Sequence, residues 1–149
     1  MTNYSILIIE DDEAIGQSLK DGFAQFGFDS YLSTTGTDGL HYLQKHNPHL
    51  IVLDVRLPDG SGFDFCRKIR GNGFVLPIII LTAQQDQMDK ILGLEIGADD
   101  YITKPFSMEV LLARMNAIII HLTISKFRIE IIRINNVTIL NNTIDYMLA

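Results

Sequence analysis

Four short strand-like runs of the chain each lead into a side chain that can take part in chemistry. Glu10 and Asp11 follow the first run, and Asp54 ends the second. Thr82 ends the third run, and Lys104 follows the fourth. Carboxylate oxygens suit Mg²⁺, and an ammonium can neutralise charge that develops on a transferred phosphoryl group. These residues predict a site for metal-assisted phosphoryl transfer, provided that the fold brings the four run ends together.

The pattern between these residues predicts such a fold. Residues 50–53 and 78–81 are continuous apolar runs, which indicates strands buried on both faces. Apolar residues at helical spacing separate the runs, so we expect parallel strands with helices on both sides of the sheet. The predicted fold class is α/β: a flavodoxin-like (βα)5 unit with a doubly wound, parallel, five-stranded sheet. Open sheets of this kind place their sites at the carboxyl ends of the strands.

Element boundaries follow from the same periodicity. The first helix has Asp11 or Asp12 as its candidate N-cap and ends at Gly27. Ser107 is the candidate cap of the last helix. Strands are predicted at 5–9, 28–33, 50–54, 77–82 and 99–103, and the later helices at 37–46, 62–70, 86–96 and 107–120.

The last part of the chain has a different composition. Residues 121–149 are rich in β-branched side chains and are interrupted by two Asn-Asn pairs, which predicts two or three short antiparallel strands. Such a segment is too short to form its own core. The predicted organisation is therefore one domain at 1–120 followed by a β-rich segment at 121–149.

Composition limits the class of protein. The chain has 149 residues and a net charge of −6, so its overall charge does not favour nucleic acid or an anionic membrane. The single Cys66 cannot form an internal disulfide, which is typical of a reducing compartment. No signal-peptide pattern is present at the N-terminus, and no apolar run approaches the length of a bilayer span. We expect a cytoplasmic protein with no membrane partner.

Each candidate site residue also has a structural interpretation. Asp11 and Asp12 could simply cap a helix, Lys104 could be a surface lysine before a helix-starting proline, and threonine is common in strands. For any one residue alone the structural interpretation is the stronger. Three carboxylates grouped with no cation would repel one another, however, so the set as a whole favours a Mg²⁺ site.

The motifs resemble the receiver domain of bacterial two-component response regulators. The resemblance covers residues 4 to about 120, and its final block is similar to that of OmpR/PhoB-type transcriptional regulators. The motifs that carry it are Glu10-Asp11-Asp12, Asp54, the Leu-Pro-Asp-Gly-Ser-Gly sequence at 57–62, Thr82-Ala83, and the Gly-Ala-Asp-Asp-Tyr-Ile-Thr-Lys-Pro-Phe sequence at 97–106.

The resemblance implies a phosphoacceptor and a metal site. Asp54 would take a phosphoryl group from a sensor histidine kinase. Asp11, Asp54 and the backbone carbonyl of Arg56 would bind Mg²⁺, and Glu10 would act through a bound water.

The resemblance also implies a switch. Lys104 would pair first with Asp54 and then with the phosphoryl group, and the Lys104-Pro105 bond would be cis. Thr82 would donate to a phosphoryl oxygen, and Tyr101 would turn inward behind it as the switch aromatic.

A homodimer on phosphorylation is a further implication. In OmpR/PhoB-type proteins it forms through the fourth helix, the fifth strand and the fifth helix. Val110 stands where the family has an acid and Asn116 where it has a base, which predicts fewer charge pairs and more apolar contact. The residues at matching positions are Lys90, Leu94, Glu95, Asp99, Asp100, Val110, Leu112 and Arg114.

Three functions remain open for this chain. Residues 134–146 are similar to the leading strands of a winged-helix DNA-binding domain, and no recognition helix follows before Ala149, so DNA binding is expected only of a full-length effector. The alternative is a stand-alone receiver that signals through protein binding. A Mg²⁺-dependent aspartyl phosphohydrolase is less favoured, because Arg56 stands where such enzymes place a second aspartate. We expect a signalling domain with slow autodephosphorylation rather than a turnover enzyme.

Overall fold

A parallel five-stranded sheet forms the centre of the protein. The computed structural model describes residues 4–83 and 97–135, with side chains described as far as residue 126. The five strands are β1 (Ser5–Ile9), β2 (Asp29–Ser33), β3 (Leu50–Asp54), β6 (Ile78–Ala83) and β7 (Asp100–Lys104), and β4 (Arg56–Leu57) pairs antiparallel with β5 (Gly60–Ser61). The helices are α1 (Glu13–Gln25), α2 (Gly36–Lys45), α3 (Gly62–Gly71) and a long helix, Met108–Asn135, called the C-terminal helix below.

The strand order is β2-β1-β3-β6-β7, and every neighbouring pair is parallel. The chain moves outward from β1 to β2 and then crosses to β3 on the other side of β1, so the order reverses between β1 and β3. This is the topological switch point, where doubly wound sheets form their sites. The predicted fold class is confirmed for the sheet and its helices.

Burial explains which strands lie at the centre. All five residues of β3 are buried, and residues 6–9 of β1 are at most 2% exposed, as expected for strands covered on both faces. β2 alternates between exposed and less exposed residues before its buried last position, and it lies at the edge of the sheet, in agreement with its more polar sequence.

The start of α1 decides between the two candidate caps. The side chain of Asp12 accepts hydrogen bonds from the N–H groups of Ala14 at 3.0 Å and Ile15 at 3.2 Å, so Asp12 is the N-cap. Asp11 is exposed, and its carboxylate remains available for another role. The helix ends before Gly27, which adopts a positive φ of 82° that favours glycine.

Two contacts fix the loop that follows Asp54. The carboxylate of Asp59 accepts hydrogen bonds from the N–H of Gly36 at 3.0 Å and from the N–H of Thr37 at 2.9 Å, and so caps α2 from a distant part of the chain. Gly62 begins α3 so close to β3 that a Cβ there would lie 2.1 Å from the carbonyl oxygen of Asp54. The loop is thereby held against the end of β3.

Residues 121–135 are helical, so the predicted β-rich segment is wrong over this stretch. A helix satisfies its backbone hydrogen bonds within itself, whereas a short strand needs a neighbouring strand. The hydroxyls of Thr123 and Ser125 donate to the carbonyls of Ile119 and His121 at 2.9 and 3.0 Å, so these polar residues are accommodated within the helix. Residues 136–149 and the predicted helix at 86–96 lie outside the described residues.

The C-terminal helix contradicts the expectation that no apolar run approaches the length of a bilayer span. Met108–Lys126 is long and apolar enough to cross a bilayer by length and composition, with a mean hydropathy of 1.4, and 17% of that window is buried.

The chain divides into two compact units, Met1–Leu111 and Leu112–Ala149. The boundary between these units lies earlier in the sequence than the predicted boundary after residue 120.

Candidate functional site

The ends of β1 and β3 bring three carboxylates together. Ile9 is in register with Leu53, so Glu10 and Asp54 follow as neighbours at the carboxyl edge of the sheet. Carboxylate oxygens of Glu10, Asp11 and Asp54 all lie within 4.8 Å of one another. The strand ends therefore meet as the sequence predicts.

Lys104 lies between two of these carboxylates. Its Nζ is 3.1 Å from Oε2 of Glu10 and 3.2 Å from Oδ1 of Asp54. The side chains of Glu10 and Asp54 are 1% and 8% exposed, so water stabilises their charges poorly. One ammonium thus serves two buried carboxylates, with the exposed carboxylate of Asp11 beside them. The cluster has an excess of negative charge.

Burial and the excess of negative charge together shift the pKa values of Glu10 and Lys104. Burial, together with the charge of Asp54, raises the pKa of Glu10 from its ordinary 4.5 to about 7, against the opposing effect of Lys104. Burial lowers the pKa of Lys104, but the charges of Asp54 and Glu10 outweigh that effect and raise it overall. Near neutral pH, without a bound cation, Glu10 is therefore partly protonated. This protonation lowers the negative charge of the site.

A cavity of about 260 Å³ opens beside the cluster. It is large enough for several waters, since each occupies about 30 Å³ in the liquid. The residues lining it are Glu10, Asp11, Asp12, Ile15, Asp54, Val55, Arg56, Ala83 and Lys104. Acidic oxygens, an ammonium and an open volume thus share one space.

The donor set fits a hard divalent cation. Mg²⁺ takes oxygen ligands, keeps several waters and is usually held by one or two carboxylates. Glu10, Asp11 and Asp54 supply such oxygens beside a cavity with room for the waters. A cation here would also supply the positive charge that the buried carboxylates lack.

Thr82 and Tyr101 lie behind this cavity rather than in it. Thr82 is fully buried, and its hydroxyl donates to the carbonyl of Ala83 at 3.3 Å. Tyr101 packs against the core, and its hydroxyl oxygen is buried. The Lys104-Pro105 bond is cis, as expected, and the inward turn of Tyr101 behind Thr82 stays a prediction. The hydroxyl of Thr82 would have to turn to reach a group bound at Asp54.

Residues expected at a dimer surface have mixed surroundings. Asp99 is engaged within the chain, because its Oδ2 accepts from the N–H of Ile78 at 2.8 Å and from Arg70 at 3.0 Å. Val110 is 48% exposed, and Asp100 and Arg114 also reach the surface. Leu112 is buried, so the expectation that it forms a surface contact is wrong. Lys90, Leu94 and Glu95 lie outside the described residues.

Sequence reasoning missed the role of Arg70. Its guanidinium donates to the carbonyls of Gly97 at 3.0 Å, Phe74 at 3.1 Å and Leu76 at 2.7 Å, in addition to its ion pair with Asp99. These bonds fix the segments that lead into β6 and β7, and hence the positions of Thr82 and Lys104. A basic residue near the end of a helix gives no signal for this role, because its partners are backbone carbonyls.

Comparison with known proteins identifies the family of the chain. The family model described as response regulator receiver domain matches residues 6–116. The chain belongs to this family. Receiver domains are signalling domains rather than turnover enzymes, and the acidic pocket of this receiver is compatible with metal binding.

The curated relatives that the chain matches include transcriptional regulatory proteins. The chain is 41% identical over 117 residues to the alkaline phosphatase synthesis transcriptional regulatory protein PhoP of Bacillus subtilis, covering 78% of this chain and 49% of PhoP. It is 47% identical over 115 residues to the transcriptional regulatory protein AfsQ1 of Streptomyces coelicolor, covering 77% and 51%. The chain thus spans about half the length of the curated relatives it matches.

Solved receiver structures confirm the fold. A response regulator from Chloroflexus aurantiacus is 33% identical, with a TM-score of 0.75 and coverage of 78% of this chain and 98% of that one. The BeF3-activated N-terminal receiver domain of RstA from Klebsiella pneumoniae is 34% identical, with a TM-score of 0.72 and coverage of 76% and 96%.

Proposed function

We propose that Asp54 is the phosphoacceptor of a two-component phosphorelay and takes its phosphoryl group from a sensor histidine kinase. A carboxylate oxygen of Asp54 attacks phosphorus, the bond from phosphorus to the histidine nitrogen breaks, and that nitrogen keeps the electron pair. The supporting observation is the position of Asp54 beside Lys104, at the edge of an open cavity.

The acidic residues have a complementary role in this proposal. Asp11, Asp54 and the backbone carbonyl of Arg56 would bind Mg²⁺, and Glu10 would contact it through water. The bound ion would neutralise negative charge on the carboxylates and on the phosphoryl oxygens. Lys104 stays within reach of Asp54 and would form an ion pair with the new phosphoryl group.

A switch follows from the groups behind the cavity. Thr82 would rotate to donate to a phosphoryl oxygen, and Tyr101 would pack into the space behind it. One hydrogen bond to a charged oxygen contributes about 1.5–3 kcal/mol, whereas inverting a 1:99 population requires about 5.5 kcal/mol. Lys104, the cation and the packing of Tyr101 must therefore share the work with Thr82.

The acceptor role can be tested by intact mass. Incubation with acetyl phosphate and Mg²⁺ should add one phosphoryl group to the wild-type chain, and Asp54→Asn should abolish the adduct. Asp64→Asn is the matched control, because Asp64 is an exposed carboxylate on α3 that only pairs with Arg67 at 2.9 Å. An adduct that persists in Asp54→Asn, or none in the wild type, contradicts the proposal.

The output is proposed to be phosphorylation-dependent dimerisation that controls transcription in the cytoplasm. Asp100, Val110 and Arg114 would contribute the exposed part of the interface. Sedimentation velocity with beryllofluoride and Mg²⁺ should show association that the charge reversal Arg114→Glu weakens. A sedimentation coefficient that does not change with the phosphoryl mimic at tens of micromolar would rule this dimer out.

Two other functions make different predictions. A stand-alone receiver would signal through protein binding alone, so phosphate-dependent DNA binding by the full-length gene product separates it from a transcriptional regulator. A phosphohydrolase would turn over a phosphomonoester many times. With Arg56 two residues after Asp54, we expect a single adduct and slow decay instead.

A further inference from the structure

One side of the C-terminal helix exposes an apolar stripe. We call Ala113, Ala117, Ile120 and Ile124 the apolar stripe, because they are all exposed and follow one another at spacings of four, three and four residues. Ile120 and Ile124 are 58% and 42% exposed. Large apolar side chains at this exposure and spacing are typical of the seam of a coiled coil.

The sequence continues the same spacing beyond the stripe. Positions 127, 131 and 134 carry Phe, Ile and Ile, and all of them fall within the helix. From residue 113 to residue 134 every position of the three-four repeat is apolar, over a helical length of about 30 Å. A strict seven-residue repeat of this kind favours two helices that wind around each other.

The apolar stripe is separate from the buried side of the same helix. Leu112 and Met115 are 5% and 0% exposed, so these two residues of the helix are buried. Ala113 and Ala117 lie on a different side and are exposed. The stripe is thus a second apolar side, available for another partner.

The flanks of the stripe indicate which partner fits. Arg114 and His121 directly follow stripe residues, whereas the uncharged Asn116 and Thr123 directly precede them. In a parallel helix pair, the residues that follow the stripe on one helix face the residues that precede it on the other helix. The basic side chains would therefore face uncharged polar groups. An antiparallel pair would bring the two basic flanks together. A second copy of this chain in parallel register is therefore complementary to the stripe.

We propose that the C-terminal helix pairs in parallel with the same helix of a second copy through the apolar stripe. This association does not require phosphorylation, because no group of the phosphoacceptor site takes part in it. It goes beyond the phosphorylation-dependent dimer, which uses the surface near Asp100 and Val110. The small Ala113 and Ala117 let the two helices approach closely at one end, and Ile120 and Ile124 fill the seam further along.

A lipid bilayer is the competing occupant, since Met108–Lys126 has the length of a span. The polar side chains argue against it. A spanning helix would place Arg114, Asn116 and His121 in or near hydrocarbon, where charged and polar groups are costly. In a helix pair the same three residues lie beside the seam and keep contact with water.

The first test is the mass of the full chain without phosphoryl donor and with EDTA. Light scattering after gel filtration should give twice 16.8 kDa for the wild type and for Asp54→Asn. Ile120→Glu combined with Ile124→Glu should be monomeric, whereas Val75→Glu, at a position 89% exposed outside the helix, should remain dimeric. Phosphorylation of both variants by acetyl phosphate confirms that the receiver is folded.

The second test is orientation. Ala117→Cys and Ile124→Cys, made separately, should each form a disulfide-linked dimer on mild oxidation, while the buried Cys66 stays unreacted. Two positions about 10 Å apart along a helix cannot both meet their own copies in an antiparallel pair. A monomeric wild type, a dimer that survives the double Glu variant, or a disulfide at one position alone overturns the proposal. Co-flotation with phosphatidylcholine vesicles that the double Glu variant loses would assign the stripe to lipid instead.

Discussion

A single ammonium group lies between two buried carboxylates in the acidic site. Lys104 bridges Glu10 and Asp54 at 3.1 and 3.2 Å, so removing its charge leaves both carboxylates without a cation. We expect Lys104→Gln to lower the free energy of unfolding in EDTA by about 1–3 kcal/mol. Saturating Mg²⁺ should restore part of this loss, because the metal supplies the missing positive charge.

Urea denaturation with and without Mg²⁺ measures this effect. Lys45→Gln is the matched control, since Lys45 is an exposed residue in the last turn of α2 and its removal should change little in either condition. If Lys104→Gln gains no more from Mg²⁺ than the wild type does, the carboxylates do not share the lysine and the metal in this way.

The protonation of Glu10 makes metal binding depend on pH. Its pKa of about 7 means that Mg²⁺ competes with a proton at neutral pH. We expect the apparent Mg²⁺ affinity to rise about tenfold between pH 6 and pH 8, as Glu10 loses that proton. Calorimetric titration at the two pH values measures the change, and proton release into buffers of different ionisation enthalpy reports its source.

The same group affects the stability of the metal-free chain with a definite sign. The folded chain keeps the proton of Glu10 up to about pH 7, whereas the unfolded chain loses it near its ordinary 4.5. The Glu10 contribution to stability is therefore full below pH 4.5 and is lost as pH rises through 7. Glu10→Gln should flatten both profiles, and an unchanged pH dependence in that variant would assign the titration to another group.

At the residue scale, sequence reasoning located the groups that follow strands and missed those that hold loops. Glu10, Asp54 and Lys104 could be grouped because the ends of parallel strands meet at one edge. Arg70 and Asp59 could not be placed, since their hydrogen bonds reach backbone groups whose positions depend on the completed fold.

Helix α3 begins where space beside β3 is most restricted. A Cβ on Gly62 would lie 2.1 Å from the carbonyl oxygen of Asp54, so Gly62→Ala must displace the backbone of Asp54. We expect this variant to lose about 1–3 kcal/mol of stability and to accept phosphate from acetyl phosphate more slowly than the wild type. Urea denaturation and intact mass against time measure the two effects.

The other end of α3 provides the control. Gly71 is also helical, and a Cβ there would meet no other atom within 4 Å. Gly71→Ala should therefore be neutral or slightly stabilising, because alanine favours the helix and reduces the entropy of the unfolded chain. Equal losses in the two variants would show that helix composition, not the approach to Asp54, determines the effect.

At the element scale, the C-terminal helix shows where local propensity fails. The β-branched residues of 121–134 predict strands when each residue is considered by itself. The seven-residue spacing of apolar positions within the same sequence is a helical signal, and it agrees with the helix of Met108–Asn135. Spacing was the better guide here because it reflects the surface that the segment presents, whereas propensity is weak and depends on surroundings.

At the scale of the whole molecule, the sequence predicts a doubly wound parallel sheet, which the structure confirms, whereas the division of the chain after residue 120 stays a prediction. Continuous apolar runs and alternating helices are sufficient for a doubly wound sheet, and the switch point between β1 and β3 follows from that topology. The boundary after Leu111 falls inside a helix, where neither composition nor a turn signal changes. A division of this kind depends on which side chains pack together, and a linear pattern does not contain that information.

Because the site lies at the edge of the central sheet, ligands bound there should stabilise the molecule as a unit. A ligand that binds the folded state alone adds about 2.7 kcal/mol to the free energy of unfolding at one hundred times its dissociation constant. We expect beryllofluoride with Mg²⁺ to raise the urea midpoint of the wild type with an unchanged m-value, and Mg²⁺ or beryllofluoride alone to raise it less. Asp54→Ala should remove the additional effect of the pair, because beryllofluoride bonds to the carboxylate itself. An equal rise in Asp54→Ala would mean that the fluoride complex binds elsewhere, and a changed m-value would mean that the ligand alters the extent of unfolding rather than its free energy.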